Sequence, residues 1–309
     1  NMTQNVSKNV SGKLDSFEAA RTAFDTIGRS VRQATLLSYL GYDKDPYGAT
    51  LPTTNSYALK SDLHFICGAQ TDLTLNDTGA GPSSAVFFQA PAGAADASDL
   101  QSNNSLLNAT GFFLAYGEDP LRPAFLDNLT AKPPPRPRFR LFQYLQPREK
   151  MTVYQETIEL HDNIPKPKDG FYRMDWFKGD VDDRTYCHVL AENVIALAIL
   201  PVTGGNPAPK YLWNSRDPAV AYSRHRLPQS LKIAMAVIDE QSAVRAGFGS
   251  SPPALVPSGL FAVPSEFDRD VETLDNSLAT HSPKLNYRIF TAEIPLSVSN
   301  SKLLQPPAP

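Results

Sequence analysis

Apolar residues near the start of the chain recur at the spacing of a helix. Val10, Leu14, Phe17, Ala20, Phe24, Ile27, Val31 and Ala34 stand three or four apart, which is one stripe at 3.6 residues per turn. Lys13, Asp15, Glu18, Arg21, Asp25, Arg29 and Arg32 occupy the opposite side. The pattern predicts a helix over 13–41, roughly 30 residues or about 45 Å long. Gly41 and the extended chain imposed by Asp45-Pro46 would end it. Packing Phe17, Ala20, Phe24, Ile27, Val31 and Ala34 on a sheet is what this stripe asks for.

Beyond residue 56 the period drops to two, the mark of half-buried strands. Leu63, Phe65 and Cys67 alternate with Asp62, His64 and Ile66, and Phe139, Leu141 and Gln143 with Arg140, Phe142 and Tyr144. Strands are expected at 61–67, 85–89, 110–116, 138–145, 193–202, 231–238 and 287–296. The runs at 85–89 and 193–202 are apolar on both faces and therefore central. Residues 151–160 either pair with 138–145 as a hairpin or open a surface excursion. Helical turns are expected at 185–192 and 241–246, a short helix from Asp96, and a helix over 265–280 with Ser265 as its N-cap. Long loops fill 163–183 and 204–226, and KPPPRP at 132–137 reads as a stiff connector. The sum is an α+β fold in which the helix of 1–41 lies across one face of a mostly antiparallel sheet. The body of 42–309 forms one domain with that helix.

Composition bears on partners more than on fold. With 309 residues and 41% hydrophobic content the chain can bury a substantial core, and its 27 prolines argue against an all-helical one. A net charge of -3 without any Lys/Arg block gives no reason to expect nucleic acid. The apolar run at 194–202 is far shorter than the roughly 20 residues that cross a bilayer. Cys67 and Cys187 fit either one bridge in an oxidising compartment or two buried thiols.

Candidate chemistry is sparse. Asp175, Asp180, Asp182 and Asp183 could offer oxygen ligands to Ca²⁺, but without the spacing of an EF-hand loop, and a solvated cluster is the alternative. The same loop carries Phe171, Tyr172, Trp176 and Phe177, either a binding patch or a miniature core of the loop itself. His64, His161, His188, His225 and His281 show no metal-ligand spacing, and no nucleophile elbow, phosphate loop or dinucleotide fingerprint occurs. No catalytic or cofactor-binding residue emerges, so a structural, interacting role is expected rather than an enzyme.

Residues 16–42, SFEAARTAFDTIGRSVRQATLLSYLGY, resemble the region after the membrane segment in type IV pilin-like proteins. The likeness is more specific to the Verru_Chthon cassette protein C family of Verrucomicrobia. The blocks 61–68 (SDLHFICG), 84–91 (SAVFFQAP), 139–147 (FRLFQYLQP), 190–201 (LAENVIALAILP) and 227–242 (LPQSLKIAMAVIDEQS) resemble that family's in order. The last is also similar to a segment of J-type minor pseudopilins of type II secretion. The resemblance implies a pilin-like fold and a pseudopilin-like subunit of a secretion or pilus-type assembly. It further implies other pilin-like subunits as partners and a precursor anchored in the inner membrane with its body in the periplasm. Such a precursor carries a basic leader and about 20 apolar residues ahead of the helix. The chain opens on Asn1-Met2-Thr3-Gln4, so it is expected to begin just after that segment, unless the likeness stops short of the N-terminus. The alternative is a periplasmic carbohydrate-binding module or hydrolase built on the loop 163–183.

Overall fold

The computed structural model describes residues 2–42, 57–76, 82–96, 105–119, 125, 136–161, 164–204, 210–217 and 220–296. In chain order the elements begin with α1 (Met2–Arg32), β1 (Tyr39–Tyr42), β2 (Tyr57–Lys60), β3 (Ile66–Ala69), β4 (Ser84–Pro91), β5 (Leu107–Gly117) and β6 (Arg138–Gln146). They continue with β7 (Glu156–His161), β8 (Ile164–Tyr172), α2 (Lys178–Asp182), β9 (Cys187–Glu192), β10 (Val194–Val202) and β11 (Trp213–Asn214). The last are β12 (Ser230–Ile238), α3 (Glu240–Arg245), α4 (Phe267–Ala279) and β13 (Tyr287–Pro295). Six strands form one antiparallel sheet in the order β11-β3-β4-β5-β6-β9, and three form a second in the order β10-β12-β13. The pairs β1-β2 and β7-β8 stand as separate ribbons.

Alternation along the strands sorts their side chains onto two faces. In β4, Val86, Phe88 and Ala90 face an inner core that also takes Phe112, Leu141, Leu197, Ile233 and Met235 from both large sheets. Ala85 and Phe87 face the other way, with Phe113, Phe142 and Tyr144, beneath Trp176, Phe177 and Val181. The second sheet repeats the scheme: Ala196, Ala198, Ala234 and Ala236 turn outward to meet Phe267, Leu274 and Leu278 of α4. The chain is therefore layered, with α1 sharing the inner core, one sheet on either flank of that core, and a cover over each outer face.

One strand serves both sheets. β9 ends at Glu192 and β10 starts at Val194, with Asn193 between them at φ 61°. Asparagine tolerates this left-handed conformation better than most residues. The kink is fixed because the Asn193 N–H donates to the Phe139 carbonyl at 2.7 Å and its own carbonyl accepts from Ile238 at 3.1 Å. A second stitch joins the sheets where the Leu197 N–H donates to the Pro82 carbonyl and the Ile199 N–H to the Ser84 hydroxyl, both at 3.1 Å.

The expected fold class needs correction. The protein is mostly β, 35% strand against 23% helix, so a long helix packed on a sheet does not describe it. The stripe is not laid on a single sheet face either: Ala20, Phe24, Ile27 and Val31 share one core with both large sheets. Nor does the helix run on to Gly41. Tightened turns close it, Gln33 to Ser30 and Ala34 to Val31, and the Thr35 N–H is then captured by the Gln89 carbonyl at 2.9 Å. Leu37 follows at φ 44° and is 65% exposed, and Gly41 pairs with Ala58 in the β1-β2 ribbon. A tertiary partner for the backbone thus overrides helical periodicity.

Smaller corrections share that cause. The strand expected at 61–67 is regular only from Ile66, because side chains take the preceding N–H groups: Gln89 Oε1 accepts from His64 and Ser215 Oγ from Phe65. Residues 187–192 pair with β6 and are strand where a helical turn was expected. Residues 156–161 pair with β8 as an excursion and not with β6. Ser265 lies inside a 3-10 turn, and Glu266 takes the N-cap position of α4. The expected helix after Asp96 and residues 132–135 of the proline run lie outside the described residues.

Candidate functional site

Of the stretch 163–183 that was expected as a loop, 164–172 forms strand β8, and the part from 173 onward folds over the outer face of the six-stranded sheet. Trp176 and Phe177 are 3% and 1% exposed. Phe177 stacks on Phe87 with centroids 3.9 Å apart and planes at 8°. That stack needs Gly111 on the neighbouring strand: a Cβ there would lie 2.1 Å from the Phe87 ring and 2.7 Å from the Val86 carbonyl oxygen. Rings so enclosed offer no face to a sugar. They are the loop's own core, extended onto a sheet.

Three of the four aspartates go separate ways. Asp175 pairs with Arg173 at 3.1 Å, and Asp182 pairs with Lys178 at 3.0 Å. Asp180 turns inward and accepts from the Tyr144 hydroxyl at 2.9 Å and from Gln146 Nε2 at 2.8 Å. Burial holds the Asp180 carboxyl above the usual range, and the like charge of Asp183 adds to this against those hydrogen bonds. Among the described residues no group of three or more His, Cys, Asp or Glu side chains is placed to hold a metal ion. The free thiols are also apart: Cys67 faces the inner core, whereas Cys187 packs against the outer one.

His64 is fully buried and sits in a polar network. Trp176 Nε1 donates to its Nδ1 at 2.9 Å, and its Nε2 meets Asn214 Oδ1 at 2.8 Å. Because an indole nitrogen can only donate, Nδ1 carries no proton, and Nε2 must donate to the asparagine oxygen. Burial first, and the nearby Arg216 second, bring its pKa down to about 3. His64 is thus a neutral pin joining the loop 173–177 to β11. Arg216 completes the junction by donating to the carbonyls of Arg173, Asp62 and Val153.

A second polar assembly sits at the kink between β9 and β10. Arg138 Nη2 donates to Glu240 Oε1 at 2.7 Å, Asn193 Nδ2 donates to Oε2 at 3.0 Å, and Arg136 reaches the same carboxylate at 2.7 Å. Arg140 holds Glu192 at 3.0 Å. Burial alone would raise the Glu240 pKa; the hydrogen bonds from Arg138, Arg136 and Asn193 prevail and bring it down to about 2. The group is a clamp in which each of these charges is matched to a structural partner.

The helix stripe is spent on the fold. Ala20, Phe24, Ile27, Val31 and Ala34 are buried, Phe24 stacks on Phe290 at 5.7 Å, and Arg288 lies over the partly buried Phe17 ring at 4.9 Å. Among the described residues no helix is long and apolar enough to cross a membrane. Nothing in the sequence marked the arginine–glutamate clamp, since Arg136 and Glu240 lie 104 positions apart and follow no period. No family model matches the chain, and no curated protein matches it.

Proposed function

We propose that the chain is a pseudopilin-like structural subunit of a bacterial secretion or pilus-type assembly, acting through protein–protein contacts in the periplasm. Its partners are other pilin-like subunits, and a segment outside this sequence anchors it in the inner membrane. The observation that carries the reading is where the family-like blocks fall. Residues 84–91, 139–147, 190–201 and 227–242 coincide with β4, β6, the β9-β10 strand and β12 with its flanks, the strands that build the inner core. The likeness therefore concerns the framework that holds α1, and it does not depend on a long helix over a single sheet. His64 and Glu240 are each bonded within the fold, which suits a role of contact.

The test uses the natural gene product recovered from membranes. N-terminal sequencing and mass spectrometry should find a processed start and about 20 apolar residues ahead of Asn1. Photo-cross-linkers at Arg21 and Asp25, both exposed on α1, should capture sibling membrane-anchored subunits. A product without such a segment that yields no cross-links in intact cells would end the reading.

A further inference from the structure

The three-stranded sheet ends at β13, and no described strand lies beyond it. The nine residues of β13 pair with β12 without a register shift, from Pro295 opposite Ser230 to Tyr287 opposite Ile238. Bonds just past the two ends fix which backbone groups this pairing uses: the Asp239 N–H donates to the Asn286 carbonyl at 3.1 Å, and the Leu296 N–H to the Gln229 carbonyl at 3.0 Å. Bonded residues alternate along an antiparallel ladder, so Arg288, Phe290, Ala292 and Ile294 turn their N–H and C=O groups to β12. Tyr287, Ile289, Thr291 and Glu293 turn theirs to the open side. Thr291 and Glu293 are exposed, and the strand carries neither a bulge nor a lysine, the usual devices that blunt an edge.

The helix α1 runs along this same strand on its inner face. Arg288 lies over the Phe17 ring, Phe24 stacks on Phe290, and a Cβ on Gly28 would lie 3.5 Å from Ile294 Cδ1. Ala20, Ile27 and Val31 are buried to one side of that contact line; Arg21 and Arg32 come next round the helix on the other side and are exposed, so they overhang the open edge. Arg288 is exposed on the same face of β13, and none of the three arginines has a carboxylate partner among the described residues. Against them stands Asp25, a little farther round, so the overhang is net basic. We propose that the free edge of β13 receives an extended strand of another polypeptide, antiparallel to it, with acidic side chains at the alternate positions that face α1. The row of outward N–H and C=O groups, repeating every second residue, selects a polypeptide backbone as the occupant. The basic overhang selects its side chains. A second copy of the chain is disfavoured, because pairing β13 with its twin would bring Arg21, Arg32 and Arg288 of both copies to one seam. The chain's own residues 297–309 fit no better, with three prolines and no Asp or Glu. The site does not depend on the pseudopilin reading.

The test is titration of the chain with fluorescein-labelled Thr-Glu-Val-Glu-Val-Glu-Thr-amide, read by anisotropy, and amide hydrogen exchange read by NMR. Paired antiparallel, the peptide turns its valine amides to β13 and its glutamates to α1. In the free chain the amides of Ile289, Thr291 and Glu293 should exchange fast and those of Phe290 and Ala292 slowly; the peptide should protect the first group. N-methylation of both valines should weaken binding about a hundredfold, at about tenfold for each lost hydrogen bond, whereas N-methylation of the central glutamate should change little. A peptide with lysine in place of glutamate should bind about tenfold more weakly, and Arg21→Glu with Arg32→Glu should reverse that preference. Slow exchange at Ile289, Thr291 and Glu293 in the free chain would show an edge already covered and overturn the proposal. So would no binding at millimolar peptide, binding indifferent to the valine N-methyl groups, or a preference between the two peptides that the charge reversal leaves unmoved.

Discussion

The two faces of the six-stranded sheet are built from alternate residues of the same strands, yet they are held by different physics. The inner face presents Val86, Leu114 and Leu141 to Ile27, Val31 and the second sheet, a contact in which any well-shaped apolar group can substitute for another. Rings occur on both faces, Phe88 and Phe112 among them on the inner one, but those of the outer face also have directional partners. Phe87, Phe113, Phe142 and Tyr144 sit under Trp176 and Phe177, Tyr144 donates to Asp180, Trp176 donates to His64, and Arg184 covers Phe113 and Phe142 at 5.3 and 5.1 Å. One face depends on volume and the other on partners. Mutations on the first should be graded by the space they leave, and on the second by the bonds they orphan.

The largest effects should come from truncation. Phe87→Ala should cost about 3–5 kcal/mol and Ile27→Ala about 2–5 kcal/mol, read from denaturant midpoints. Refilling should separate the faces, since Ile27→Leu should recover most of the loss whereas Phe87→Leu should not, having lost the stack on Phe177. Equal recovery would break the comparison.

Acid should act next. His64 is neutral in the fold with a pKa of about 3 against 6.5 for an unfolded histidine, so the unfolded chain gains its proton first as pH falls. The contribution is whole above pH 6.5 and is lost by about 1.4 kcal/mol per pH unit on the way down toward 3. Denaturation midpoints at pH 7, 6 and 5 should show this slope, and His64→Gln should flatten it. Trp176→Phe keeps the ring packing but leaves His64 Nδ1 without a donor, and about 1–3 kcal/mol should be lost at neutral pH. If that variant is neutral, the outer face is held by packing after all.

The smallest change near neutrality belongs to Glu240. Its folded pKa is depressed to about 2 from 4.5, so its contribution is intact above 4.5 and fades as pH falls from there toward 2. Glu240→Gln should remove that part of the acid loss while leaving the His64 slope in place.

What the sequence disclosed follows the same division. Periodicity located β4, β5, β6, β10, β12 and β13 to within a few residues, because burial on a face is written into each strand locally. It marked Ile27 and Val31 as core for the same reason. It failed where a distant group decides the outcome. Thr35 leaves the helix for a carbonyl on Gln89, 54 positions away, and His64 and Phe65 are held by Gln89 and Ser215 instead of a ladder. At the candidate sites it narrowed the loop aromatics to a patch or a small core, and the enclosed Trp176 and Phe177 show which. The clamp of Arg136, Arg138 and Glu240 had no local signal, since neither residue type nor spacing distinguishes a paired charge from a solvated one.

The passage of a single strand from one sheet to the other at Asn193 has a mechanical consequence. Tension along the chain at that point loads both sheets at once, in shear against β6 on one side and β12 on the other. Neither sheet can be peeled away without stripping an edge from its neighbour. A body joined in this way resists being pulled apart in stages, a useful property for any part that must transmit force.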